Sequence, residues 1–190
     1  AAADSGGGAG VRWTPLFKRA PESFRADRVF RDDLRGGQVK QFQTVGDSLY
    51  ALTDSVVYHV ARGGQGLIIR KIHYGRGLTS YGGAHSIGRD LFYICPLGIA
   101  VVNGLTGEMH IVTSADRTIT EDWIASLANV ESCYDAKMGA SFFLNKTQDE
   151  MVVLWHTTRT SCVLENSRFA SVCHGPDVIN GGMDRAFFIT

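Results

Sequence analysis

Four stretches of the sequence share one order of residue types and decide the fold. They are VGDSLYALT at 45–53, IGRDLFYIC at 87–95, KMGASFFLN at 137–145 and GMDRAFFIT at 182–190. In each, a turn carrying glycine or aspartate leads into an apolar segment of strand length. Each of the first three is followed by two further apolar segments separated by polar turns. The chain is therefore predicted to repeat one small antiparallel unit.

The spacing of these units identifies the architecture. Aligning Leu49, Leu91, Phe142 and Phe187 gives separations of 42, 51 and 45 residues. Blades of β-propellers repeat at about 40 to 50 residues. One small sheet cannot bury both of its faces, whereas sheets stacked around an axis can. We therefore predict a mainly β fold: a partial β-propeller of four-stranded antiparallel blades, with an extended N-terminal arm.

Composition divides the chain into three parts. Residues 1–10 are small and glycine-rich, as in a flexible tail, and residues 11–37 are predicted to form an extended arm because Pro15 and Pro21 oppose a long helix. Residues 38–190 hold three blades and the start of a fourth. A break in the strand pattern at 115–128, with Thr120 as a helix cap, predicts one short helix near 119–128. The final apolar run predicts that the chain is a piece of something longer.

The arm is the segment whose composition indicates a partner. Arginine and aromatic residues anchor protein interfaces, and several large aromatics here share no helix or strand period. The predicted partner-binding residues are Arg12, Trp13, Phe17, Arg19, Phe24, Arg25, Arg28 and Phe30. We expect them to bind another subunit. The alternative is that the arm supplies the outer strand that closes the propeller.

Composition and motifs argue against several other functions. The formal net charge is zero, so a nucleic-acid partner is not expected, and no apolar run is long enough to span a bilayer. The four cysteines lack zinc spacing and are predicted to be free thiols. Neither the six histidines nor the neighbouring carboxylates form a recognised metal or catalytic motif. We predict no enzyme activity, no cofactor and no metal.

Two parts of the sequence carry a resemblance. Residues 134–169, and the phrase GDSLYALTDSVVY at 46–58, resemble propeller modules in tail and neck proteins of tailed bacteriophages. The chain departs from better-known propellers, since no Trp-Asp dipeptide closes a blade and no double glycine recurs as in kelch repeats. The resemblance implies a non-enzymatic virion protein, folded in the host cytoplasm. Its implied partners are portal, adaptor or tail subunits, and it implies a homo-oligomer within a symmetric assembly.

Two other functions remain open from the sequence. A ligand-binding propeller for sugar or peptide would need polar residues at equivalent positions of each blade, and Asp47, Asp90 and Asp184 are the candidates. A propeller hydrolase would need scattered acids and histidines to converge at the channel. The predicted core consists of Leu49, Leu52, Val57, Leu91, Tyr93, Ile99, Val101, Phe142, Leu144, Val152, Leu154 and Phe187.

Overall fold

The computed structural model describes residues 2–3, 10–13, 30–33, 37–62, 67–74, 76–112, 123, 126, 129–158, 160–177 and 183–190. Strands and turns account for nearly all of them, which confirms the predicted mainly β fold. All strand pairs are antiparallel.

The strands of the described residues form five sheets, which are numbered in chain order after the N-terminal sheet. The N-terminal sheet contains β1 (Ala2–Ala3), β2 (Gly10–Trp13) and β3 (Phe30–Asp33). Sheet 1 contains β4 (Val39–Val45), β5 (Ser48–Thr53), β6 (Val56–Arg62) and β7 (Leu67–Tyr74). Sheet 2 contains β8 (Ala84–Ile87), β9 (Asp90–Cys95), β10 (Gly98–Asn103) and β11 (Met109–Ile111). Sheet 3 contains β12 (Val130–Asp135), β13 (Ala140–Asn145), β14 (Glu150–Trp155) and β15 (Thr160–Leu164). Sheet 4 contains β16 (Ser171–Asp177) and β17 (Met183–Ile189).

Sheets 1 to 4 are joined through their first strands. In sheets 1 to 3 the strands lie side by side in chain order. Strand β4 contacts β8, β8 contacts β12, and β12 contacts β16. The first strands therefore form a row, and the later strands of each sheet extend away from it.

The first strand of each unit is the element that the sequence pattern missed. Its apolar residues are interrupted by polar ones, as at Gln41 and Gln43 in β4 or Glu131 and Ser132 in β12. Strands recognised by apolar runs are those buried on both faces. The first strands instead place polar side chains against their neighbours, so their pattern resembles that of a loop.

The second strand of each sheet repeats an aromatic residue followed two positions later by an aliphatic one. We call these two residues the forward pair; they are Tyr50 and Leu52, Phe92 and Ile94, Phe142 and Leu144, and Phe187 and Ile189. In sheets 1 to 3 the forward pair is buried in the cluster shared with the next sheet. The aromatic members are 42, 50 and 45 residues apart.

The forward pairs correct the alignment made from the sequence. Leu49 and Leu91 do not correspond to Phe142, because Leu91 packs toward sheet 1 whereas Phe142 packs toward sheet 4. The alignment was displaced by one residue at its first two positions. In a strand, such a displacement moves every side chain to the opposite face.

Most of the predicted core is confirmed. Nine of the twelve residues are buried, and Leu49 and Val101 are half-buried. The prediction for Phe187 is wrong, since 48% of this residue is exposed. It belongs to the forward pair of sheet 4, and no described sheet lies beyond it.

The structure also changes the description of the N-terminal segments. Strand β3 pairs with β2, so the two ends of the predicted arm lie side by side, and the segment between them lies outside the described residues. Ala2 and Ala3 pair with β2, so part of the predicted tail is in the same sheet. Pairing satisfies backbone groups that an extended arm would leave to water. The predicted helix lies outside the described residues except for Trp123 and Ser126.

Candidate functional site

The outer face of sheet 4 is the largest departure from the pattern of the preceding sheets. Val172 and Phe188 are paired across the hairpin and belong to the cluster with sheet 3. Cys173 and Phe187 form the adjacent pair, so they point to the opposite side of the sheet. Cys173 is exposed, and the forward pair Phe187 and Ile189 is 48% and 53% exposed. We call these three residues the open face.

Polar contacts, as well as apolar ones, join each sheet to the next. We call each such boundary between two sheets a seam. Between sheets 1 and 2, Gln41 Nε2 donates to the carbonyl oxygen of Ala84 at 2.7 Å. Between sheets 3 and 4, Glu131 accepts from the Ser171 hydroxyl and from the Val172 amide. Burial raises the pKa of Glu131. Lys146 and these two hydrogen bonds lower it by more, so the pKa lies below its ordinary value.

A second carboxylate secures the same seam. Asp135 is 2% exposed and accepts from Arg185 Nε at 2.9 Å and from the Ala186 amide at 3.1 Å. Burial raises the pKa of Asp135, while these donors and the Met138 amide lower it more, so the net pKa is low. The carboxylate is held charged, and it fixes sheet 4 to sheet 3.

The seam between sheets 2 and 3 contains a chain of serines and histidines. The two ring nitrogens of His85 lie 3.0 Å from Ser132 Oγ and 2.7 Å from Ser141 Oγ. Ser141 Oγ lies 2.8 Å from Nε2 of His156. Serine beside histidine can act as an activated nucleophile, but that role needs access to substrate. His85 is 1% exposed and Ser141 is fully buried, so this chain joins two sheets and does not form an open catalytic site.

The three candidate ligand-binding aspartates do not all occupy equivalent positions: Asp47 and Asp184 lie three residues before the aromatic member of their forward pair, and Asp90 lies two residues before its own. In sheet 1 the closing pair of the first hairpin is Val45 with Ser48, so Asp47 lies in the turn. In sheet 2 the closing pair is Ile87 with Asp90, and Asp90 is therefore the first residue of its strand. Asp184 lies one residue inside β17. These three residues therefore do not place an aspartate at one position of every sheet, as a ligand-binding propeller would require, although Asp47 and Asp184 share a position.

The residues predicted to bind a partner fall only in part on the described chain. Arg12 and Trp13 lie in β2 and Phe30 lies in β3, with Trp13 directly opposite Phe30. Phe17, Arg19, Phe24, Arg25 and Arg28 lie outside the described residues. The role of this set therefore stays a prediction. The open face was missed, although the repeated aromatic and aliphatic pair was visible in the sequence.

Three further findings concern the described part of the chain. No group of three or more His, Cys, Asp or Glu residues there could hold a metal ion. The same part has no helix of the length and apolar character needed to cross a membrane. All four cysteines are free, as predicted.

Comparison with known proteins adds little to this picture. No family model matches the chain, and no curated protein matches it either. Among solved structures, one titled "AfRom2 CNH domain" is similar to this chain with a TM-score of 0.37 and 12% identity, over 93% of this chain and 71% of that one.

Proposed function

We propose that this chain is a non-enzymatic structural protein: a partial β-propeller that joins a second copy of itself through the open face. Three blades would be sheets 1 to 3, and sheet 4 would be half of a fourth. The row of first strands supports this arrangement, because radial blades pack first strand to first strand around an axis.

The exposed forward pair of sheet 4 carries the proposal. The equivalent pairs of sheets 1 to 3 are each buried by another sheet. Leaving a large aromatic and an isoleucine half in water forgoes about 25 cal/mol for each Å² left uncovered. The repeat therefore supports, as the partner, another β-sheet with apolar side chains on one face.

The opposite end of the row supports a closed dimer. On the face of sheet 1 that points away from sheet 2, Val39, Ala51, Val56, Tyr58 and Val60 are buried. The two end faces thus differ, so head-to-tail addition of copies has no receiving face. An open face that meets the same face of a second copy gives a closed two-fold assembly.

The test is the molar mass in solution, measured by light scattering during gel filtration. We expect the unaltered protein to be a dimer and Phe187→Ser to be a monomer with an unchanged circular dichroism spectrum. Leu164→Ser is the matched control, because Leu164 is 45% exposed in β15 and outside the open face. A monomeric unaltered protein, or equal mass for Phe187→Ser and the unaltered protein, would overturn the proposal.

The narrower assignment is a bacteriophage virion, as a tail or neck component whose partners are portal, adaptor or tail subunits. It is supported by the resemblance of residues 46–58 and 134–169 alone. Electron microscopy of purified particles, labelled with an antibody against this chain, tests it. Label on intact tails or necks is expected, and label confined to unassembled protein contradicts it.

A further inference from the structure

A cleft of about 210 Å³ lies between sheet 1 and the turn that joins β10 to β11. Tyr50, His59 and Arg70 are paired across β5, β6 and β7, so their side chains form one row on the face toward sheet 2. All three line the cleft, together with Lys71 and Ile72. Gly104, Leu105, Thr106 and Gly107 form the opposite wall.

The charge of the lining is one-sided. Arg70 is an exposed cation, and none of the described residues that line the cleft carries a carboxylate. The salt bridges among described residues do not include Arg70. Two carboxylates, Asp90 and Glu108, are close by but do not line the cleft. Burial, and then the charge of Asp90, raise the pKa of Tyr50, and a carboxylate oxygen of Glu108 lies 3.5 Å from the Thr106 hydroxyl.

His59 supplies an independent observation. Its Nε2 atom is buried and forms no hydrogen bond with any described residue. Burial, and then the charge of Arg70, lower the pKa of His59 below its ordinary value. A buried polar atom without a partner costs about 1 to 3 kcal/mol. A small rotation of the His59 ring would bring Nε2 to an acceptor bound beside Arg70, which would recover that cost and offset the positive charge.

We propose that this cleft binds a small oxyanion, a carboxylate or a phosphate group, between Arg70 and His59. A guanidinium presents two donors that match two oxygens of either group. The turn at Leu105 and Thr106 closes the other side, which limits the ligand to a small molecule or a single side chain. The open face lies on sheet 4, so this site is independent of the proposed dimer.

The test is a titration followed by nuclear magnetic resonance, with inorganic phosphate and, separately, acetate at constant ionic strength. We expect saturable shifts of the His59 ring signals and a rise in the pKa of His59 when the anion is bound. Arg70→Gln should weaken binding about tenfold or more, as expected for loss of a charge-assisted hydrogen bond. Lys137→Gln is the charge-matched control, because Lys137 is exposed on the turn between β12 and β13 and lies outside the cleft.

The two titrations distinguish a phosphoryl ligand from a carboxylate ligand. Saturation by phosphate alone supports a phosphoryl ligand, and saturation by acetate as well supports a carboxylate. Shifts that do not saturate with either anion would overturn the proposal. So would equal weakening by Arg70→Gln and Lys137→Gln, since that pattern indicates general attraction to a cationic surface.

Discussion

Gly104 lies against the backbone of a neighbouring turn. A Cβ atom at this position would come within 1.9 Å of the carbonyl oxygen of Arg89. Backbone atoms cannot move aside as the end of a flexible side chain can. Glycine is required here because only a hydrogen atom fits between the two turns of sheet 2.

We predict that Gly104→Ala lowers the free energy of unfolding by about 1 to 3 kcal/mol, the usual cost of overpacking. Urea denaturation followed by fluorescence measures it. The control is Gly175→Ala in β16, where the added Cβ would meet nothing closer than 3.7 Å. Equal stability of the two variants would show that the turns separate easily.

The sequence predicted which strands form the core but not the face to which each core residue points. The strands β5, β9 and β13 were recognisable, because their apolar runs have strand length and are bounded by turn residues. The face to which each side chain points could not be predicted, because Leu91 and Phe92 are both buried. Leu91 packs toward sheet 1 and Phe92 toward sheet 3. A strand buried on both faces has no alternation from which to read the direction.

The sheets depend on one another for burial. Leu91 in β9 is fully buried in the cluster shared by sheets 1 and 2. We predict that Leu91→Ala lowers the free energy of unfolding by about 2 to 5 kcal/mol, through lost burial and the cavity left behind. Leu97→Ala in the following turn, where 49% of the residue is exposed, should change it by less than about 0.5 kcal/mol. Denaturant titration of both variants is the measurement, and similar losses would contradict the packing described.

The seam between sheets 2 and 3 makes a separate prediction. His85→Phe keeps the ring beside Phe92, which stacks on His85 at a centroid distance of 5.6 Å, but removes both serine contacts. The free energy of unfolding should fall by about 1 to 3 kcal/mol, because two hydroxyl groups lose a buried partner. His110→Phe, at an exposed position of β11, is the control. A variant as stable as the unaltered protein would show that the hydroxyl groups find other partners.

These seams could not be predicted from the sequence. His85 meets serines 47 and 56 residues further along the chain. No local pattern marks such a pair, because the contact exists only after two sheets have packed. The pairing of β2 with β3 could not be predicted either, because aromatic residues without a common period give no strand signal.

Across the whole molecule, titratable groups predict loss of stability in acid. Burial lowers the pKa of His156, and hydrogen bonds outweigh burial to lower the pKa of Glu131 and Asp135. A group whose pKa is lower in the folded state binds its proton first in the unfolded chain. The contribution of His156 to stability is therefore lost as the pH falls below 6.5, the ordinary pKa of histidine. The contributions of Glu131 and Asp135 are lost as the pH falls below their ordinary pKa values of 4.5 and 3.8.

We expect the melting temperature to fall in two stages between about pH 8 and about pH 3, and differential scanning calorimetry measures it. Asp135→Asn should flatten the lower stage, because the amide does not titrate. His156→Gln should flatten the upper stage for the same reason. A melting temperature that is constant or rises in acid would contradict the described seams.

In the proposed dimer, a second copy of the chain covers the open face of sheet 4. Hydrogen exchange measured by mass spectrometry at low and high protein concentration would detect this cover. If the dimer forms, peptides covering β16 and β17 gain protection as the concentration rises, while peptides covering β15 do not change. Protection of β16 and β17 that is the same at every concentration, in a protein shown to be monomeric, would contradict it.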